Sequence, residues 1–154
     1  MPTDLRDAIN DPQPCDVITR HDGAGQGRIR ALVSAVQTMA CSDELLAGIA
    51  DLAKARDVPT HAHSHISEGS AKTHLGAFHR TETQRLQDAG MLTARCTLMH
   101  SGWLSDDDIA AFHRAGVTVN HNPVGNAMLG FGTDEHKMAE AACRALAIVA
   151  RHAA

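Results

Sequence analysis

The sequence predicts an α/β protein: a partial TIM-barrel-like array of about four βα units around a parallel sheet, roughly half the eight-unit standard. Short apolar and β-branched segments alternate with helix-length amphipathic stretches. Cap and turn residues stand at the boundaries between them. Histidines and an asparagine (His65, His100, His121, Asn122) fall where predicted strands hand over to helices, the end at which such sheets carry their chemistry. The 154 residues suffice for one core but fall well short of the ~250 of a complete barrel.

Residues 1–27 are rich in Pro, Asp and Gly and read as an N-terminal loop or frayed segment. The remainder, 28–154, reads as one barrel-like domain, with no Gly/Ser linker to divide it. Arg28 to Val36 is apolar and β-branched and predicts the first strand. Ser42 can cap the next helix, Asp43 and Glu44 suit its first turn, and Leu45, Leu46, Ile49, Leu52 and Ala53 supply an apolar face. That helix ends near Asp57, and Pro59 leads into THAHSHIS. Ala71 to Ala89 predicts a single helix with Leu75, Phe78 and Leu86 inward and Gly90 as its stop. Ala94 to His100 is a short buried strand. Ser105 and Asp108 have the spacing of a capping box, and Gly116 ends the helix they start. Val117 to His121 is the next strand, and Glu135 to Arg151 a last Ala-rich helix.

Composition excludes several classes of function. A net charge of -4 without a basic run argues against nucleic acid as a partner, and 3% aromatics with no Tyr leave no stacking platform for bases. No apolar run reaches the ~20 residues of a membrane span, and the N-terminus lacks a signal core. Cys15, Cys41, Cys96 and Cys143 are scattered, without a CxxC pair, and read as free thiols in a reducing, cytoplasmic setting. The outlying count is 11 histidines.

In HAHSHISEG, His61, His63 and His65 alternate with Ala62 and Ser64, so a strand would point all three to one face. Neutral imidazoles on a barrel's interior face can converge on a metal. Glu68 follows three residues on, placed to exchange a proton with a bound water rather than to ligate. A solvated edge strand, or an incidental surface cluster, would show the same alternation. LMHSGWLS adds a second strand end with His100 at the matching height. His21, His74, His79, His113, His136 and His152 read as surface or core residues.

Taken in order, HSHISEG, LMHSGWLSDDDI, VNHNPVGNAMLG and GTDEHKMAEAACRALAIVAR resemble the amidohydrolase superfamily, nearest its triazine hydrolase and guanine and cytosine deaminase branch. The resemblance covers most of the chain from Arg28 onward. It implies a distorted TIM barrel that hydrolyses C–N or related bonds of a small heterocycle or amidine with a divalent metal, zinc or else iron. By motif, His65 matches a metal ligand, Glu68 the acid/base carboxylate, and His100 a histidine that binds metal or holds the attacking water. Trp103, Asn122 and Asn126 join Glu68 in the implied substrate-facing set, the two asparagines on the NHNPVGN loop. Asp134 matches the last-strand aspartate that binds metal and serves as base, but GNAMLGFGTDEHKM runs two normally separated segments together. Either a unit is missing between them and Asp134 keeps that role, or the match is accidental and Asp134 caps the last helix. The family's first-strand HxH pair has no counterpart here. The resemblance therefore implies a fragment of a longer enzyme, an inactive truncated domain, or a half-barrel that pairs with itself or with a missing N-terminal half.

Overall fold

Strands form where small and β-branched residues alternate with polar ones. In a computed structural model of the protein, which describes residues 14–129, they are β1 (Val33–Ala35), β2 (Thr60–Ser64), β3 (Cys96–His100) and β4 (Thr118–Asn120). The helices are α1 (Pro14–His21), α2 (Asp43–Ala55), α3 (Glu68–Phe78), α4 (Glu82–Asp88), α5 (Asp106–Ala115) and α6 (Pro123–Met128), with a 3-10 turn at Thr38–Ala40. The sheet has four strands in the order β1-β2-β3-β4, each parallel to its neighbour. Strand order that follows chain order, without reversal, is the succession of a barrel wall; a doubly wound sheet reverses at its middle.

Along β2 and β3 burial alternates. Thr60, Ala62 and Ser64 are buried on one face, whereas His61 and His63 are half-buried on the other. Ala62 and Leu98 meet Leu46, Ile49, Leu86, Met91 and Phe112 in one core. Full burial of Leu46, Leu86 and Leu98 stabilises the fold by about 2 kcal/mol each. The opposite face of the sheet carries the histidines.

Local chemistry sets the helix limits. Ser42 accepts from the amide of Leu45 at 3.2 Å and starts α2, which buries Leu46, Ile49 and Ala53. Leu45, expected inward, is exposed, so the buried stripe is narrower than the sequence suggested. The predicted capping box of α5 is present: Asp108 N donates to Ser105 Oγ at 3.2 Å and Ser105 N to Asp108 Oδ2 at 2.9 Å. Gly116 ends α5 at φ 70, where an added Cβ would stand 3.2 Å from that of Ala94.

Several expectations need correction. Residues 1–27 were expected to be irregular, yet Pro14–His21 forms α1. The first strand is three residues long because Arg28 and Ile29 are drawn into a turn, with Gly23 N donating to Ile29 O and Ile29 N to Ala24 O. The single helix expected over 71–89 is two. Thr81 opens α4 with a capping box to Gln84, and His79 leaves α3 in the left-handed region. That break turns Leu75 outward, half exposed, and puts His74 in the buried position. The NHNPVGN loop contains the short helix α6, started by Pro123 at its first turn, where a missing N–H costs nothing. The last predicted helix, Glu135 to Arg151, lies outside the described residues.

Candidate functional site

The carboxyl ends of the strands carry a row of polar side chains. Ser34 Oγ lies 2.9 Å from His61 Nδ1, between register partners of β1 and β2. His61 and His63 rings stand edge to face, with centroids 5.4 Å apart. His63 Nδ1 is 2.9 Å from His100 Nε2 at the end of β3, and His100 Nδ1 is 2.6 Å from Asn126 Oδ1 on α6. Adjacent strands thus deliver His63 and His100 to one another.

Two left-handed residues decide which histidines share the face. His100 (φ 70) would fall on the helix-facing side by strict alternation, but its backbone turns the ring back across the strand end onto His63. His65 (φ 51) does the reverse. Its ring leaves the face of His61 and His63 and packs edge to face on Phe112, with Nε2 at 3.1 Å from Thr83 Oγ1 and 3.8 Å from Asp108 Oδ1. Ser64 Oγ holds Nδ1. The expectation that all three histidines point one way therefore fails at His65, because period two stops where the backbone becomes left-handed. Ser101 (φ 47) extends this left-handed run at the end of β3. Non-glycine residues held in this region cost on the order of 1 kcal/mol or more, and they gather at functional sites.

Burial lowers the affinity of His61 for protons, and burial followed by the neighbouring His100 and His61 does so for His63. Both therefore stay neutral near pH 7, the form that donates a lone pair to a metal. Burial alone would raise the Asp108 carboxyl, but the His65, Ser105 and Thr83 side chains outweigh it and hold the group well below the usual carboxylate range.

The other sequence-predicted residues are placed as follows. Glu68 opens α3 with its side chain half exposed, and it pairs with Lys72 at 2.8 Å. Trp103 donates its backbone N–H to the His65 carbonyl at 3.0 Å, tying the β3 end to the β2 end. Asn122 precedes α6 and accepts the Asn126 N–H on its carbonyl at 2.9 Å. Asn126 is buried beside His100. Asp134 lies outside the described residues. The motif match gave the ligand role on this strand to His65 and none to His63, although the HxH alternation already set His63 on the face it occupies beside His100.

Beneath the row lies a second polar layer. Glu82 Oε2 accepts from Thr38 Oγ1 and from the amide of His65, the latter at 3.2 Å. Arg85, fully buried, donates to Asp43 Oδ1 at 2.7 Å, Thr38 O at 2.9 Å and Cys41 O at 2.7 Å, and its guanidinium lies 3.6 Å over the Phe78 ring. This layer clamps the β1–α2 connection to α4 and fixes the backbone from which His65 departs.

A run of parallel strands in barrel order, with imidazoles meeting at the carboxyl ends, defines a segment of a βα barrel wall. The chain belongs to the amidohydrolase family, whose model matches residues 17–146. It is 32% identical over 111 residues to a 5'-deoxyadenosine deaminase of Methanosarcina mazei, covering 72% of this chain and 26% of that protein. The chain thus spans about a quarter of the length of this curated relative. The fold matches a mutant atrazine chlorohydrolase of Arthrobacter aurescens TC1 complexed with zinc and atraton (TM-score 0.71, 22% identity, 84% of this chain and 29% of that one). It also matches an adenosine deaminase of Xanthomonas campestris with bound zinc (TM-score 0.71, 20% identity, 82% and 29%). Among the described residues no helix is long and apolar enough to cross a membrane, and Cys41 and Cys96 are free and buried.

Proposed function

We propose that this chain supplies the histidine-bearing strand ends of a metal-dependent hydrolytic deaminase acting on the exocyclic C–N bond of a small heterocycle. Adenosine-type nucleosides are the favoured class, because the relative at 32% identity is a 5'-deoxyadenosine deaminase. The observation that carries the reading is the His63–His100 pair, two imidazole nitrogens 2.9 Å apart across neighbouring strand ends. Ligands ~2.0–2.1 Å from a tetrahedral zinc lie roughly 3.3 Å from one another, so this pair fits two of its donors with little movement. Among the described residues no third His, Cys, Asp or Glu completes a cluster. Asp134, and His65 if its strand end rotates, are the further donors the family resemblance implies, with zinc favoured and iron the alternative.

The ion would supply Lewis-acid activation of water near neutral pH. The chain's own residues do the rest. Burial keeps the His63 donor in the neutral form, and His100 presents Nε2 to it at 2.9 Å. Glu68, at the mouth of the strand ends, accepts a proton from the attacking water and passes it to the departing amine, so that water and the amino-heterocycle give the oxo-heterocycle and ammonia. Buried Ser101 Oγ and Asn126 Nδ2, beside His100, have no protein partner among the described residues and are available to polar groups of a substrate. Trp103 and Asn122 flank the same end of the sheet.

A second reading, a half-barrel that pairs with another chain, is favoured by β1 and β4, each of which pairs on one side only among the described residues. Ammonia release from adenosine-type nucleosides, guanine and triazines separates the readings. It is measured with zinc for the chain alone, for the chain completed with a family-type N-terminal half, and for the completed Glu68→Gln variant. The proposal expects turnover only in the completed protein, lost in Glu68→Gln. Unchanged turnover in that variant removes Glu68 from the mechanism, and no turnover in any form leaves the half-barrel module.

A further inference from the structure

We propose that Asn126 is a positioning residue that fixes the tautomer of His100 and so aims the lone pair of Nε2 at His63. The role goes beyond the substrate contact implied by sequence, and it rests on the reading of His100 as a metal-facing imidazole only for its last consequence.

Asn126 is buried, at 1% exposure, on α6, and its Oδ1 lies 2.6 Å from His100 Nδ1. A carbonyl oxygen only accepts, so at that distance Nδ1 must carry the hydrogen. A neutral imidazole with hydrogen on Nδ1 has a bare lone pair on Nε2. That nitrogen is the one 2.9 Å from His63 Nδ1, so in the metal-free chain His63 must donate from Nδ1. One amide at the end of the row thus orients both rings. The opposite orientation of the amide would set Nδ2 against Nδ1 and reverse both tautomers, which makes the tautomer the observable.

The backbone explains why a residue so far along the chain can do this. Asn122 O accepts the Asn126 N–H at 2.9 Å, and Pro123 starts the helix directly after β4, so α6 carries Asn126 over the end of β3. His100, at φ 70, has left the strand alternation and depends on side-chain contacts for its direction. Partners of this kind, on the far nitrogen of a metal-facing imidazole, typically change metal affinity 10–100-fold when removed.

The test uses the whole chain with ¹⁵N-labelled histidine, at a pH where both rings are neutral. Long-range ¹H–¹⁵N spectra read the tautomers of the wild type, Asn126→Asp and Asn126→Leu. The expected result is hydrogen on Nδ1 of His100 in the wild type and in Asn126→Asp, whose carboxylate also accepts, and a shift towards Nε2 in Asn126→Leu. In zinc titrations Asn126→Leu should bind roughly 10–100-fold more weakly than wild type, with Asn126→Asp retaining most of the affinity. Hydrogen on Nε2 of His100 in the wild type would overturn the proposal. So would an unchanged tautomer in Asn126→Leu or, where the wild type takes up zinc, an unchanged affinity in that variant. If Asn126→Leu does not fold, the wild-type and Asn126→Asp spectra still decide. A correct wild-type tautomer in a chain that takes up no zinc would sink the metal reading above while upholding the lock.

Discussion

Protons and a metal ion would compete for the same lone pairs on His61 and His63. His61 and His63 hold protons less tightly than the ordinary 6.5 in the folded chain. As pH falls through that value the unfolded chain protonates first, so the stability tied to these rings is complete above 6.5 and is lost as pH drops towards the folded values. Asp108 acts lower in the acid range. Its folded value lies below the ordinary 3.8, so its contribution is present above 3.8 and is lost beneath it. Urea midpoints measured against pH should therefore be flat above about 7, decline from about 6.5, and decline again below about 4. His63→Asn should reduce the upper decline. A midpoint constant from about pH 7 to 5 would show that burial of these rings is not coupled to folding. The sequence showed which residue types would gather, but not which way two of them turn. Positive φ at His65 and His100 is set by tertiary contacts from Thr83, Phe112 and Asn126, all distant in sequence.

Helix and strand positions were legible where local chemistry decides them. Ser42, Ser105 and Gly116 mark their termini as expected, because capping is a contact between near neighbours. The α3–α4 break was also written locally, in the spacing of Thr81 and Gln84, but the apolar residues on either side gave the impression of one helix. β1 was overestimated, since its β-branched run is interrupted by a turn closed through Gly23 and Ala24. Arg85 had no signal at all: a charged residue reads as solvent-facing, and only the fold supplies Asp43, Thr38 and Cys41 as partners. Replacing it leaves buried carbonyls unpaired. Arg85→Leu should destabilise the chain by about 3 kcal/mol in urea titrations. Arg80, only partly buried, bridges Asp43 and Asp88 and should matter much less when changed to Ala. Comparable losses from the two would remove α4 from the role of clamp.

The described residues read as an arc of barrel wall. Their helix-facing side is packed, and among them nothing covers the histidine face; Leu32 and Val36 are exposed near β1, and Val124, Met128 and Leu129 near β4. Open parallel edges and exposed apolar side chains favour association. Light scattering should show species larger than the 16.4 kDa monomer, and apolar dyes should bind. A compact monodisperse monomer without dye binding would argue that the face is covered. If His63 and His100 supply two donors of a metal centre, competitive zinc titration of the chain reads it. Wild type should bind weakly, as a partial donor set does. His63→Ala and His100→Ala should each abolish most of that binding, and His21→Ala, at an exposed position, should leave it intact. Equal zinc affinity across all three variants would contradict the account.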